Sequence, residues 1–307
     1  MNSPLVSVII PNYNHARYLE QRLDTVFNQT YQNIEVIILD DKSTDNSLDV
    51  IEKYRNHPKV AQIVVNELNT GSPFKQWDKG INLANGELIW IAESDDYNEL
   101  TFLEELIIEW RKHENVVVAF SQYVFFNNQY HYKLKERKTR FFVGKKYICN
   151  RLIRYNEIRN ASGVLFSRNA YLKISKNYTH FMNAGDLQFW VELLATGDCV
   201  KVGKNLTYYR QSNTSVTSTN ATKGIVSKED KLVYDYVASH FSLTRWQKYM
   251  LIVKKARQYS NENYDDDEIR KQILELWDIP KGYGFSKWCN FIVWLSGSFE
   301  RYFGILI

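Results

Sequence analysis

The sequence of 307 residues has little cysteine and almost no excess of charge. Its three cysteines, Cys149, Cys199 and Cys289, are far apart and form no C-x-x-C pair, so we expect neither a disulfide framework nor a zinc site. Lysine and arginine number 39 against 35 aspartates and glutamates, and the resulting net charge of +4 is too small to imply a polyanionic partner by itself.

Glycine-rich phosphate loops and long apolar segments are also missing. No G-x-G-x-x-G follows the first predicted strand and no G-x-x-x-x-G-K-[ST] occurs, which disfavours dinucleotide-binding enzymes and P-loop NTPases. The N-terminus has no basic region followed by a cleavage site, so we expect no signal peptide. Near the C-terminus the unbroken apolar run Phe291–Leu295 is too short to span a bilayer. An interfacial helix and ordinary packing against the rest of the protein both stay open for this segment.

The composition is that of a folded globular protein, with 44% apolar and 24% charged residues. A chain of this length forms one large α/β domain with an appendage or two smaller domains. Four apolar runs are typical of buried strands and alternate with helical patterns: Val6–Ile10, Ile34–Leu39, Val60–Val65 and Leu88–Ala92. This alternation predicts a parallel, helix-flanked sheet over the first 115 residues.

Two local patterns predict helices in this part of the chain. Leu19, Leu23 and Val26 recur at helical spacing, which predicts an amphipathic helix after the first strand. Thr101 is followed three residues later by Glu104, the pattern of a capping box, so we expect a further helix to begin there.

The middle of the chain is less regular. Val116–Phe120 and Val164–Phe166 have the pattern of strands, and a helix is predicted to begin at Gly185-Asp186. A basic segment, defined here as residues 131–146, has seven lysines and arginines against one glutamate. We interpret it as a solvated loop, with a phosphate or lipid-headgroup contact as the alternative. After the Ser/Thr/Asn-rich residues 212–222 the composition becomes helical.

Polar and acidic residues directly follow three of the predicted strands: Pro11-Asn12-Tyr13-Asn14, Asp40-Asp41 and Glu93-Ser94-Asp95-Asp96. Ligands of open parallel sheets bind beyond the carboxyl ends of the strands. Closely spaced carboxylates favour a hard divalent cation, and Mg²⁺ or Mn²⁺ shared with a diphosphate needs only one or two of them. Because Ser-Asp-Asp is also common turn and cap chemistry, a metal site and a simple turn both stay open.

These segments, in this order, resemble the inverting glycosyltransferases of family 2, which have the GT-A fold. The resemblance lies in residues 6–14, 29–31, 38–47, 86–96 and 185–190. It implies an α/β protein of the GT-A fold, with a mixed, mainly parallel central sheet flanked by helices. It also implies a catalytic domain over 1–215, divided into a nucleotide-binding half (1–115) and an acceptor-binding half (116–215), and a mostly helical C-terminal region over 216–307.

The resemblance implies nucleotide-binding roles at the ends of the first two strands. Pro11, Tyr13 and Asp41 would line the nucleoside site, with Asp41 accepting a hydrogen bond from the base and Tyr13 stacking near it. Asp40 would support the turn. These roles follow from matching positions in the family's pattern.

Further roles are implied for the later acidic residues. Asp95 would approach the sugar or ribose and Asp96 the diphosphate, the two together holding Mg²⁺ or Mn²⁺, while Glu93 replaces a more usual aspartate. Asp186 matches the general base that takes the proton of the acceptor hydroxyl; a helix cap is its alternative role. Ser212 stands where many relatives have a histidine, which puts that residue's contact with the diphosphate or metal in doubt.

The implied activity is transfer of a sugar from a nucleotide-diphosphate sugar, above all a UDP-sugar, to the hydroxyl of a saccharide or lipid-linked saccharide. The mechanism would be a metal-assisted single displacement with inversion, in cell-surface polysaccharide synthesis. We expect a cytoplasmic protein, with peripheral contact at the inner face of the cell membrane as a further hypothesis. The rivals are a catalytically inactive binder of nucleotide sugars or glycans and a nucleic-acid binder using the basic segment. We do not expect a nucleic-acid partner.

Overall fold

The computed structural model describes residues 3–127, 130–211 and 220–278. Its strands are β1 Val6–Asn12, β2 Ile34–Asp40, β3 Val60–Val65, β4 Leu88–Ile91, β5 Tyr97–Asn98, β6 Val116–Phe126, β7 His131–Lys133, β8 Arg140–Phe142, β9 Val164–Ser167 and β10 Asp198–Arg210. Its α-helices are α1 Ala16–Phe27, α2 Ser47–Glu52, α3 Pro73–Leu83, α4 Phe102–Trp110, α5 Gly144–Tyr147, α6 Ile153–Tyr155, α7 Arg168–Tyr171, α8 Gly185–Thr196, α9 Ile225–His240, α10 Arg245–Ser260 and α11 Asp267–Leu276. A π-helical turn, Ile148–Leu152, joins α5 to α6, and 3₁₀ turns cover Ala161–Gly163 and Asn177–His180.

The ten strands of these residues form one sheet in the order β3-β2-β1-β4-β9-β6-β10-β5, with β7 beside β6 and β8 beside β10. In its first half β1 pairs in parallel with β2 and β4, and β2 with β3. All seven residues of β1 are buried, and Leu19 and Leu23 of α1 share a core with Val8. The carboxyl ends of β2, β1 and β4 therefore lie side by side at one edge.

The second half of the sheet is mixed. β9 runs antiparallel between β4 and β6, β10 is parallel to β6, and the short β5 is antiparallel to β10. The mixed sheet flanked by helices confirms the predicted fold class. Because β5 follows the acidic residues 93–96 directly, that loop is fixed to the sheet at both ends.

The described residues divide into two compact units. The first has those up to Gly144, Ile158–His180 and those from Glu192 to 211; the second has Lys145–Glu157, Phe181–Val191 and those from 220 onward. The last segment of the second unit begins near 215, where the sequence predicts the start of a helical C-terminal region. Lys145–Glu157 and Phe181–Val191, which precede that position, also belong to the second unit.

The second unit has its own core. Val253 and Tyr259 of α10 pack with Ile273 of α11 and with Trp277, all of them buried. At one side of this core Asp230 accepts hydrogen bonds from Tyr259 Oη at 2.5 Å and from Lys255 Nζ. Among the described residues no helix is long and apolar enough to cross a membrane. Ser212, Cys289 and the aromatic stretch 288–307 lie outside the described residues.

The predicted capping box is wrong. Thr101 precedes α4, but its side chain makes no cap hydrogen bond. Glu104 accepts a hydrogen bond from Thr30 Oγ1 at 2.8 Å instead. Because Thr30 follows α1, this bond connects α4 to a distant part of the chain, which the local spacing could not indicate.

The basic segment is more ordered than the expected loop. Within it, β7 pairs with β6 and β8 with β10. Arg137 N donates to Gly203 O at 2.9 Å, and a Cβ on Gly203 would lie 1.8 Å from Arg137 O. The absence of a side chain at Gly203 therefore permits the close approach of this segment to β10.

Candidate active site

Hydrogen bonds tie the loops after β1 and β2 together. Asp40, fully buried, accepts bonds from Asn12 Nδ2 at 2.8 Å and from Ser43 N and Oγ at 2.8 and 2.6 Å. Asn14 N in turn donates to Ser43 Oγ at 2.9 Å. Asn14 and Lys42 both have positive φ, 56° and 66°, which marks two sharp turns at this edge. Asp40 thus supports both loops.

Asp41 organises the chain that leads into α3. Its carboxylate, 5% exposed, accepts bonds from Asn66 Nδ2 at 2.6 Å, Gln76 Nε2 at 2.9 Å and Thr70 Oγ1 at 2.8 Å. Thr70 N is a further donor to both oxygens. A carboxylate has about four acceptor positions, so these protein donors use most of them. The predicted bond from Asp41 to a base stays a prediction.

Tyr13 and Pro11 differ in exposure at the end of β1. Pro11 is buried within the strand, where it lies opposite Leu39 of β2. Tyr13 is 45% exposed on the turn that follows. Of the two, Tyr13 has the ring that a planar base could contact.

Asp96 lies at the centre of a buried hydrogen-bond network. It is 1% exposed, and its Oδ2 accepts bonds from Asn160 Nδ2 at 2.7 Å and Ser162 Oγ at 2.8 Å. Its Oδ1 accepts a bond from Arg210 N at 2.9 Å. The turn at 160–163 and the end of β10 therefore fix this carboxylate from two sides.

Asp95 and Glu93 face different surroundings in the same loop. Glu93 accepts a bond from Trp77 Nε1 of α3 at 2.8 Å. The half-buried Asp95 carboxylate accepts no bond from another residue in the described part of the chain, although Asp95 O accepts one from Arg210 Nε at 2.8 Å. Asp95 is therefore the carboxylate of this loop that is open to a ligand.

Burial disfavours the charged forms of the three carboxyl groups, and repulsion from Asp95 adds to the effect on Glu93 and Asp96. Burial raises the pKa of Glu93 to about 8, and the charge of Asp95 adds to the shift. Burial and the Asp95 charge raise the pKa of Asp96 to about 7, and burial also raises the pKa of Asp95. A cation bound here would relieve this repulsion.

Arg22 of α1, which the sequence pattern did not single out, lies beneath this loop. It is fully buried and donates to Glu93 O at 2.8 Å, Asn98 Oδ1 at 2.7 Å and Ser162 Oγ at 3.3 Å. Burial lowers its pKa to about 10, and the nearby carboxylates oppose that shift. Arg22 therefore connects α1, the acidic loop and the 160–163 turn while its charge offsets theirs.

The residues present fit a divalent cation that shares its ligands with a diphosphate. In the described ranges no group of three or more His, Cys, Asp or Glu side chains could hold a metal by itself. Mg²⁺ and Mn²⁺ bound to phosphates need only one or two protein carboxylates. Asp95 has the open oxygens for this role, whereas both oxygens of Asp96 already accept bonds from the protein.

Asp186 lies in the first turn of α8, where its Oδ1 accepts a bond from Leu187 N at 2.6 Å. The amides that precede the helix are capped by another residue: Glu229 of α9 accepts bonds from Met182 N at 2.7 Å and from Asn183 N and Ala184 N at 2.8 Å. Glu229 thus takes the capping role considered for Asp186, and no local sequence signal indicated it.

The surroundings of Asp186 suit a proton acceptor. Burial raises its pKa to about 7, and the charges of Asp230 and Glu229 contribute. A group with a pKa near neutrality exchanges protons readily at physiological pH. Asp186 belongs to the second unit, and its predicted convergence with Asp41 and Asp95, both in the first, stays a prediction.

The mixed sheet flanked by helices, with an acidic loop after β4, is the arrangement of the GT-A fold. The family model for glycosyl transferase family 2 matches residues 7–177, more than half of the chain. The chain belongs to this family, and it is a glycosyltransferase of the GT-A fold. The resemblance inferred from the motifs is therefore confirmed.

Named relatives agree with this assignment. Glycosyltransferase GlyG of Streptococcus pneumoniae is 29% identical over 231 residues, covering 71% of this chain and 74% of GlyG. The poly(ribitol-phosphate) beta-N-acetylglucosaminyltransferase TarS of Staphylococcus aureus is 39% identical over 95 residues, 30% of this chain and 16% of TarS. Both are named as glycosyltransferases.

Solved structures share the fold. TarS residues 1–349 of S. aureus with UDP-GlcNAc superpose with a TM-score of 0.69 at 20% identity, over 88% of this chain and 79% of that one. A mannosyltransferase of Pyrobaculum calidifontis with GDP-Man and Mn²⁺ gives a TM-score of 0.56 at 13% identity, over 99% of this chain and 82% of that one. At these identities the likeness establishes the fold alone.

Proposed function

We propose that this glycosyltransferase moves the sugar of a UDP-sugar to an acceptor hydroxyl, with inversion at the anomeric carbon. The main support is the sheet edge, where hydrogen bonds fix the loops around Tyr13 and the open carboxylate of Asp95. The TarS structure with UDP-GlcNAc supports a UDP-sugar as the donor.

In this proposal the nucleoside lies at the ends of β1 and β2. The exposed ring of Tyr13 stacks on the base beside Pro11. Asp40 and Asp41 contribute mainly by holding the two loops, because the protein already donates most of the hydrogen bonds that their oxygens accept. Preformed loops lower the entropy cost of binding the donor.

Asp95, supported by Asp96, would hold a Mg²⁺ or Mn²⁺ ion, which supplies positive charge for the departing diphosphate. The Mn²⁺ in the mannosyltransferase neighbour supports this choice of cofactor. Arg22 holds the loop through its hydrogen bond to Glu93 O, and its charge favours the ionised forms of the three acidic groups.

Asp186 is the proposed general base. It takes the proton of the acceptor hydroxyl while that oxygen attacks the anomeric carbon from the face opposite the diphosphate. The bond from the anomeric carbon to the diphosphate oxygen breaks as the new one forms, so a single displacement inverts the configuration. The pKa near 7 lets Asp186 be ionised before the reaction and accept the proton during it.

The acceptor in this proposal is a saccharide or a lipid-linked saccharide of a cell-surface polysaccharide. Relatives that act on or build polymers support this class, including TarS and the Pasteurella multocida chondroitin synthase, which is 36% identical over 119 residues, 38% of this chain and 12% of that enzyme. The proposal includes a cytoplasmic location, with peripheral contact at the inner face of the membrane.

A screen of nucleotide sugars tests the proposal. Thermal unfolding with UDP-glucose, UDP-GlcNAc, UDP-galactose and GDP-mannose, each with and without Mn²⁺, should identify a stabilising UDP-sugar, because a ligand that binds only the native state raises its stability. Proton NMR of the transfer product should then show the anomeric configuration opposite to that of the donor. Retention of configuration would contradict inversion, and stabilisation by none of the UDP-sugars, or by GDP-mannose alone, would contradict the donor class.

A further inference from the structure

A pocket of about 400 Å³ lies within the second unit, far in sequence from the acidic loop. Lys145, Lys146 and Asn150 line it from α5 and the π-helical turn, and His240, Thr244 and Gln247 line it from the end of α9 and the start of α10. Its volume is that of a site for a small ligand.

The pocket wall is positively charged. Its lining has two lysines and a histidine and no carboxylate. Both lysines are exposed, and in the described part of the chain neither forms an ion pair. Their charges are thus available to an anion. Two neighbouring ammonium groups suit a phosphate, whose several oxygens can accept from both, better than a planar carboxylate, which pairs best with a guanidinium fork.

The opposite wall is held in place by hydrogen bonds. Thr244 caps the 16-residue helix α10 in a capping box with Gln247, whose Nε2 also donates to Asn150 Oδ1 at 2.7 Å across the pocket. The N-terminal end of α10, with its positive dipole, therefore lies at the pocket beside the lysines.

We propose that this pocket binds the phosphate group of a phosphomonoester or phosphodiester. Its volume exceeds that of a bare phosphate, so a small polyol can enter with it. A role of this pocket in recognising the acceptor rests on the proposed function, whereas its binding of phosphate does not. The phosphate can belong to a phosphate-bearing acceptor or to a phospholipid headgroup, which have the same chemistry.

The test uses the full chain and two double variants. Calorimetric titration with sn-glycerol 3-phosphate and sedimentation with vesicles of phosphatidylglycerol and phosphatidylcholine are compared for wild type, Lys145→Ala/Lys146→Ala and Lys135→Ala/Lys138→Ala. The second pair comes from the same basic segment and removes the same charge, but neither lysine lines the pocket. We expect the first pair to weaken binding by about tenfold or more and the control pair to have little effect.

Lysine-dependent binding of glycerol phosphate supports an acceptor phosphate, and binding of vesicles alone with the same dependence supports a headgroup. Equal loss in both double variants means non-specific attraction and overturns the proposal, as does binding of neither probe to wild type. Nucleotide-sugar hydrolysis, measured in parallel, should persist in the Lys145→Ala/Lys146→Ala variant. If neither wild type nor the two double variants hydrolysed a nucleotide sugar, the proposed function would be contradicted, and the phosphate-binding result would be unaffected.

Discussion

The pH dependence of transfer should follow the ionisation of Asp186. Because a base must be deprotonated to act and the pKa of Asp186 is raised to about 7, activity should rise with pH and level off above neutrality. With that pKa, kcat/KM at pH 6 should be about one-tenth of its plateau and at pH 5 about one-hundredth. An aspartate with an ordinary pKa of about 4 would leave activity almost flat over this range.

The assay is initial-rate transfer from the preferred nucleotide sugar across this range, with the fraction folded checked at each pH. Glu229→Gln removes a nearby negative charge, so its acidic limb should move to lower pH. Unfolding gives a second readout. Because the pKa of Asp186 is higher in the folded state than in the unfolded state, the folded state loses stability as the pH rises from about 4 through about 7. Asp186→Asn has no charge to bury and should therefore be more stable than wild type at pH 8, by no more than about 4 kcal/mol. A flat rate profile from pH 5 to 8 would refute the assignment.

Three further substitutions test other parts of the account. Arg22→Met removes a buried cation and three hydrogen bonds and should lower the free energy of unfolding by about 2–4 kcal/mol in urea titrations; a change below about 0.5 kcal/mol would contradict its connecting role. Asp95→Asn should reduce Mn²⁺-dependent transfer about a hundredfold with a melting temperature no lower than that of wild type, because it removes a charge that opposes those of Glu93 and Asp96; wild-type rates would exclude Asp95 from the site. Gly203→Ala should lower the melting temperature because its Cβ would meet Arg137 O, and an unchanged value would show that the segment moves away freely.

The sequence predicted the strands and the acidic loop because each depends on a local pattern. Apolar runs mark β1, β2 and β4, and the rule that ligands bind at the carboxyl ends of parallel strands directs attention to Asp40, Asp41 and Asp95. These features need no knowledge of distant contacts.

The hydrogen bonds that hold the site join distant parts of the chain, and the sequence patterns did not predict them. Arg22 adjoins the apolar stripe of α1, where its three acceptors, on Glu93, Asn98 and Ser162, cannot be foreseen from spacing. Glu229 caps the start of α8 from more than forty residues further along the chain. In such cases only the folded chain identifies the partner.

The most direct test of the central claim compares Asp186→Asn with wild type for donor binding and for sugar transfer. We predict that the variant binds the UDP-sugar with nearly wild-type affinity, measured by calorimetry, while transfer falls by at least about a thousandfold, because the hydroxyl loses its base. Transfer at a rate close to wild type would contradict a catalytic Asp186. Binding without transfer in wild type as well would indicate a non-catalytic nucleotide-sugar binder.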